Sequence, residues 1–407
     1  MRNLMKLAIV SISFFVALSS CANSFRGVTD QSSVWPRATV TRVNSVLIDP
    51  PKISPNFRQT RLSNGDLTAV YFTDETHGFV GGQGNLYKTV DGGETWEETK
   101  FTVPASAQVT KILFATPEIG WSVLQTRSDL AIDYEQNHFW LQHTIDGGQT
   151  WKLQYDGKQA EITALAVKNA KEAWITGLKF VGLRPFRYTY LALHTADQGD
   201  HWLDVSKNLK DLTARRMNVS SDEINEGVMG VVTPMSLPTT VLTSEAGVLT
   251  TSTDGSDWQP IQLIPADEER TSIRRFGLSQ THNLWILGST DSLEGVGSML
   301  MVQKSDTSWV RYGLAAVYLS DAVALAQSQF VACGYFVNYK AANGKRKQAC
   351  VLYSRDGGQN WSVIYRDSQV ESINSLCAVN GTHLYAVGAN GLVIRINLEG
   401  VGSSGNR

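Results

Sequence analysis

The chain has 407 residues, 42% hydrophobic and 18% charged, an ordinary globular composition with ample length for a large core. Its formal net charge of −2 removes any global pull toward nucleic acid or another polyanion. Eleven Trp is a high count, and most of them fall in register along the chain.

The N-terminus reads as a targeting segment. Arg2 and Lys6 precede an apolar run from Leu7 to Leu18 that is too short to span a bilayer comfortably. Leu18-Ser19-Ser20-Cys21 then resembles the bacterial lipobox, which implies a signal peptide over 1–20 and an acylated Cys21 as the mature first residue. The acyl chains would hold the protein on a membrane without spanning it. The competing reading is a plain secretory signal in which Cys21 has no role. Residues 21–33 are Ser/Asn/Gly-rich and read as a flexible tether.

From there the chain repeats. Thr89-Val90-Asp91-Gly92-Gly93-Glu94-Thr95-Trp96 returns at Thr144 to Trp151 and at Ser354 to Trp361, with a looser copy at Thr195 to Trp202. Ser252 to Trp258 and Ser305 to Trp309 are shortened versions. A carboxylate two residues after a hydroxyl can accept backbone N–H groups across a bend, and the glycines supply positive φ. The pattern resembles the Asp-box, or BNR repeat, of β-propellers. It assigns a structural role to Asp91, Asp146, Asp197, Asp254 and Asp356, and to Trp96, Trp151, Trp202, Trp258 and Trp361. The Trp residues at 96, 151, 202, 258, 309 and 361 recur every 51 to 56 residues, the range of propeller units.

Each unit carries an apolar strand, an aromatic strand ending in Gly, a strand leading into the box, and a fourth strand opened by the box Trp. The runs are short, β-branched or aromatic, and bounded by turn residues. Outside the signal segment no stretch shows a sustained helical period. A last unit, Ile373 to Ile396, has three strands and lacks a Trp. Asp30 and Trp35 are spaced as in a box, so Trp35 to Thr41 is the predicted missing edge strand, where Pro36 is tolerated. The expectation is an all-β fold over 34–398, a seven-bladed β-propeller closed by an N-terminal strand, with 399–407 as a disordered tail.

Several connections are enlarged, at 125–138, 178–189, 207–226, 289–298 and 336–348, and unit topology puts them all opposite the boxes. They carry Lys179, Arg184 and Arg187, then Lys207, Lys210, Arg215 and Arg216, then Lys340, Lys345, Arg346 and Lys347. Phe180, Phe186, Tyr188 and Tyr190 are interleaved with the first group, so a basic and aromatic rim is expected, suited to an acidic partner or lipid headgroups. Ordinary solvated charge competes with that reading.

Seven scattered His form no ligand spacing with Cys or carboxylates, and no nucleotide or nucleophile motif appears, so no metal, cofactor or catalytic residue is expected. Cys333, Cys350 and Cys377 are an odd set, and a Cys333–Cys350 disulfide is open in an exported protein. Asp-boxes also occur in sialidases, but Arg37 after Pro36 does not make the arginine motif those enzymes need. A hydrolase would require two flanking carboxylates, which one sequence cannot bring together.

Aromatic-x-x-Gly, an apolar-Lys/His-Thr strand and Asp-Gly-Gly-x-Thr-Trp together resemble the Ycf48/Hcf136 family of photosystem II stability and assembly factors, over roughly 34–398. The resemblance implies a non-catalytic, seven-bladed lipoprotein that binds a membrane-protein partner through a basic patch. Lys179, Arg184, Arg187, Arg215, Arg216, Lys345, Arg346 and Lys347 match that patch in type only. The implied protein is a monomer that binds no nucleic acid. Its lipid anchor would hold it at the periplasmic face, the outer membrane or the thylakoid lumen according to host. The alternative is a sialidase-like or other glycoside hydrolase, or a glycan-binding surface lipoprotein.

Overall fold

The structure is a computed structural model that describes residues 39–48, 55–99, 104, 106–126, 136–183, 186–217, 228–232, 239–243, 248–252, 259–263, 270–279, 281–292, 295–305, 308–326, 328–337 and 347–399. It is an all-β propeller built from repeated antiparallel meanders. Six quartets of consecutive strands form six sheets. Sheet I is Leu67–Phe72, Gly78–Gly82, Leu86–Thr89 and Glu97–Thr99, and sheet II is Gln108–Phe114, Gly120–Thr126, His138–Thr144 and Lys152–Lys158. Sheet III is Ala160–Val167, Ala173–Leu183, Phe186–Thr195 and Leu203–Asp204, and sheet IV is Val228–Val232, Thr239–Thr243, Val248–Ser252 and Gln259–Leu263. Sheet V is Arg270–Leu278, Leu284–Ser292, Gly295–Ser305 and Ser308–Ala315, and sheet VI is Val317–Ala326, Gln329–Val337, Lys347–Ser354 and Asn360–Asp367.

The chain's last strands, Ile373–Ala378, His383–Gly388 and Leu392–Asn397, form sheet VII with an N-terminal strand as their fourth. That strand corrects the sequence reading. It is Asn56–Arg61, antiparallel to Leu392–Asn397 with Phe57 opposite Ile396, and not Trp35 to Thr41. Trp35 lies outside the described residues. The segment ahead of Asn56 instead forms a strap. Thr39–Asn44 pairs in parallel with the outer strand of sheet V, and Val46–Ile48 pairs in parallel with the outer strand of sheet VI. The strap is legible only in hindsight, because its apolar positions, Val40, Val43 and Val46 to Ile48, carry no turn motif that marks the strands they pair with.

Contacts divide the chain into two compact units, one spanning 123–142 and 153–264 and the other 38–122, 143–152 and 265–407. In the second, one core runs through sheets VI and VII around Val331, Val351, Leu384 and Ile394, and another through sheets V and VI around Leu287, Leu300, Phe330 and Trp361. In the first, Trp174, Tyr190 and Ala192 of sheet III pack on helix α1, Ser206–Met217, through Leu209 and Ala214. The helix corrects the expectation of none. Its buried stripe is only two turns long and is surrounded by charge, too short to show a period.

The enlarged connections are not loops throughout. In sheet III the ladder continues to Leu183 opposite Phe186, and in sheet V to Ser292 opposite Gly295, so the added residues lengthen paired strands. In sheet VI pairing reaches Val337 opposite Lys347. Cys333 and Cys350 are buried free thiols. Cys333 registers with Val351, one position away from Cys350, so the two side chains enter different cores and form no disulfide. Burial raises the thiol pKa of Cys333 and pushes those of Cys350 and Cys377 to about 12, so all three stay protonated and inert.

Candidate functional site

Four boxes are described and share one wiring. Thr89 Oγ1 donates to Asp91 Oδ1 at 2.8 Å and accepts the Gly93 amide at 2.9 Å. Asp91 then accepts the Thr95 amide at 2.9 Å and its hydroxyl at 2.6 Å. Asp146, Asp197 and Asp356 accept the same amide, of Thr150, His201 and Asn360, at 3.0, 3.0 and 2.9 Å. Gly92 and Gly93 sit at φ 70° and 83°, the left-handed region that costs Gly nothing. The third box has Gln198 at φ 65° instead.

These donors hold the carboxylates ionised. The Thr95 hydroxyl and amide, then the Thr89 hydroxyl, lower Asp91 to about 2. At Asp146 partial burial pushes upward, but the Thr150 and Thr144 donors outweigh it and the value is again about 2. The His201 amide and ring lower Asp197 to about 2, and the same contact raises His201. The turn's own donors thus hold each carboxylate in place. Asp254 and Trp258 lie outside the described residues.

The boxes also join sheets. The Tyr385 hydroxyl of sheet VII donates to Gly92 O at 2.8 Å, and Lys88 Nζ of sheet I donates to Gly147 O at 2.7 Å. A Cβ at Gly148 would stand 2.5 Å from the Phe79 ring, and one at Gly358 3.2 Å from the Tyr312 ring. The aromatic and Lys/His positions of the repeat meet here: Lys88 lies over Phe79, His143 leans on Trp121, and His194 stacks on Trp174 at 4.0 Å.

The basic rim is only partly assembled. Lys179 and Arg187 are exposed on the extended hairpin of sheet III. Phe180 and Tyr190, expected beside them at the surface, are core residues at 5% and 1% exposure. Strand alternation turns them inward, and Tyr190 packs near α1. Arg215 and Arg216 fall in α1 with side chains outside the description, and Arg184, Lys345 and Arg346 lie outside the described residues.

Lys347 is exposed and heads a ladder that sequence reasoning missed. Its Nζ stands 4.7 Å over the Tyr335 ring, Tyr335 stacks on Tyr318 at 4.8 Å, and the Arg274 guanidinium lies 3.9 Å over the Tyr318 ring. Next to it Arg366, exposed, covers Phe336 at 4.0 Å. The available signal was Arg274-Arg275, two adjacent cations in the first strand of a unit, where the first strands of the other units carry at most one charge. A bulge at Arg274 turns the two side chains apart. Arg275 makes a two-point pair with Asp321 at 2.8 and 3.0 Å. Asp321, 4% exposed, also accepts the Ser375 hydroxyl and the amides of Leu376 and Ala322, a junction of sheets V, VI and VII.

Among the described residues no group of three His, Cys, Asp or Glu could hold a metal ion. No helix among them is long and apolar enough to cross a membrane.

The BNR/Asp-box repeat matches residues 352–363. The photosystem II assembly lipoprotein Ycf48 of Synechococcus sp. (strain CC9902) is 22% identical over 346 residues, 80% of this chain and 83% of that protein. A structure of Ycf48 bound to a D1 peptide superposes with TM-score 0.55 at 17% identity, covering 87% of this chain and 99% of that one. Ycf48 from Cyanidioschyzon merolae gives 0.56 at 16% identity over 84% and 99%. A GH74 xyloglucanase from Xanthomonas campestris gives 0.55 at 13% identity, over 85% of this chain and 54% of that enzyme. The chain is thus a β-propeller with BNR/Asp-box repeats that is similar to Ycf48 along most of both chains.

Proposed function

We propose that the chain is a non-catalytic, membrane-tethered scaffold that binds a membrane-protein partner, of photosystem II assembly type where the host is photosynthetic. The observation that carries the reading is the ladder Arg274–Tyr318–Tyr335–Lys347. Each tyrosine ring already carries another ring and a cation against it. What the ladder offers to solvent is cationic charge on a pre-stacked support, the chemistry that recognises carboxylates of an acidic protein segment. A likeness to Ycf48, one structure of which holds a D1 peptide, agrees with this. Asp321, the buried carboxylate nearest the ladder's strands, accepts five hydrogen bonds and is a poor general base.

In this reading Cys21 carries the lipid and 22–38 lead to the strap. Asn56–Arg61 completes sheet VII beside the chain's last three strands. Lys179, Arg187, Arg184, Arg215, Arg216, Lys345 and Arg346 extend the cationic surface.

The test is affinity capture from detergent-solubilised membranes of the native host. Wild type should retain a membrane protein, and Lys347→Glu with Arg366→Glu should lose it while melting as wild type does. Equal capture by both sinks the site, and capture of nothing by wild type sinks the scaffold reading. A Cys21→Ser chain that still fractionates with membranes sinks the tether.

A further inference from the structure

An outer strand of a sheet leaves a row of backbone donors and acceptors unpaired, and the described sheets manage this in different ways. Sheets I and III have outer strands of only three and two residues. Sheet IV has Pro260 in its outer strand, and sheet VII has Arg58 and Arg61. Sheets V and VI have outer strands of eight residues, and there the chain's own strap is laid on in parallel. Sheet II has a seven-residue outer strand, Lys152–Lys158, with no fifth strand on it among the described residues.

The strap shows what such an edge accepts. Val40 registers with Trp309 and Leu47 with Trp361, so an aliphatic residue lies level with the box Trp. Sheet II has its box Trp151, 7% exposed, at the same point ahead of its outer strand, with Leu153 41% exposed two residues on. The edge is preorganised. Tyr155 stacks on Phe139, Gly157 is buried where a Cβ would strike that ring, and Asp156 is tied to His138. With Asp156 engaged, the exposed charges at the two ends are Lys152 and Lys158.

We infer that the outer edge of sheet II is a β-augmentation site for an extended segment of a protein partner. The segment pairs in parallel with Lys152–Lys158, sets an aliphatic residue beside Trp151, and carries acidic residues for the two lysines. Backbone pairing supplies the affinity, and the aliphatic and acidic positions supply the choice. The site uses no residue of the cationic ladder and goes beyond the function proposed above.

The probe is a synthetic peptide of the strap sequence Thr39–Asn44 with Arg42 replaced by Glu and a Glu added at each end. It is offered to the mature chain, whose sheets V and VI keep their own strap. Hydrogen exchange read by mass spectrometry should show slowed exchange over 152–158 on addition. Lys152→Glu with Lys158→Glu should weaken binding by about fivefold at low salt, and a peptide with alternate N-methyl amides should not bind. The inference is overturned if 152–158 gains no protection, or is already as protected in the free chain. It also fails if the change falls only on 308–315 or 360–367, which would mean exchange with the strap.

Discussion

The boxes of sheets VI and III make the same hydrogen bonds and bury their tryptophans differently. Ser354 bridges Asp356 to Gly358, and Thr195 bridges Asp197 to Gly199, with distances that agree within about 0.1 Å. Yet Trp361 is fully buried and donates to Gly358 O at 2.9 Å, while Trp202 is half-buried and reaches Gln154 Oε1 at 3.4 Å. Part of the difference between these two lies in what covers each outer strand. Leu47 of the strap is level with Trp361, and sheet III has only Leu203–Asp204 beyond its box. Trp309, the other strap-covered Trp, is 1% exposed, whereas Trp96, with no strap, is half-buried. Trp151 shows a second way to the same end, since with no strap on its sheet among the described residues it is 7% exposed, its indole packed edge-on against the Phe79 and Phe114 rings at 6.3 and 6.0 Å.

The largest effect that would break this comparison is at the indoles themselves. Trp361→Ala should cost about 3–5 kcal/mol, the range for a large core side chain, and Trp202→Ala about half that or less. Chemical denaturation of the two variants checks it, and equal losses would mean that the box sets the energy. Next comes the cover. Leu47→Asp should cost about 1–2 kcal/mol by removing part of an apolar contact, and should red-shift tryptophan emission, while the same change at the exposed Leu203 should do neither.

The contrast also explains what could be read from the sequence. A box announces itself because every part of its wiring lies within eight residues, as Thr89 to Trp96 does, and a period near fifty follows from repeating it. The closing strand was misplaced because Asp30 and Trp35 reproduce a spacing that carries no information without the turn between them. Asn56–Arg61 has no box, and its partner strand lies more than 300 residues away. The ladder was hidden for a similar reason. Tyr318, Tyr335 and Lys347 come from three strands of one sheet and Arg274 from another, and no local pattern links them. Phe180 and Tyr190 looked like surface residues because a long hairpin was read as a loop, which erases the alternation that turns them inward.

A smaller difference between the sheets is in pH response. The folded-state values of Asp91, Asp146 and Asp197 are about 2, and that of Asp356 is lowered, first against partial burial and then by the Asn360 donors. A depressed carboxylate stabilises the fold above its usual value of about 4, and the contribution is lost as pH falls from there toward about 2. All four boxes share that acid limb. Only the third has a second one. His201 is raised by Asp197, so its contribution is complete below the usual imidazole value and fades as pH rises through the folded one. In melting curves across pH, His201→Thr should flatten the change above the usual imidazole value and leave the acid limb in place. An unchanged upper limb would remove His201 from the account.

The smallest expected effect sharpens the comparison at the backbone. Gly92, Gly147 and Gly357 occupy the first left-handed position of their boxes at φ 70°, 66° and 80°, and Gln198 occupies it in the third at 65°. A side chain there costs about 1–2 kcal/mol. Glycine would relieve that strain but give the unfolded chain more freedom, worth about 0.4–1 kcal/mol in the opposite sense. Gln198→Gly should therefore stabilise by about 0.5–1 kcal/mol, the difference of the two. The Gln198 carbonyl accepts Gln154 Nε2 at 2.6 Å through backbone alone, so that bond survives the change. Gly92→Ala meets the Glu75 carbonyl at 2.8 Å at the same position and should destabilise. Opposite signs for two substitutions at one place in the repeat would show that the third box keeps its wiring against a strained residue. If both destabilise, the Gln198 side chain is making a contact that offsets its φ.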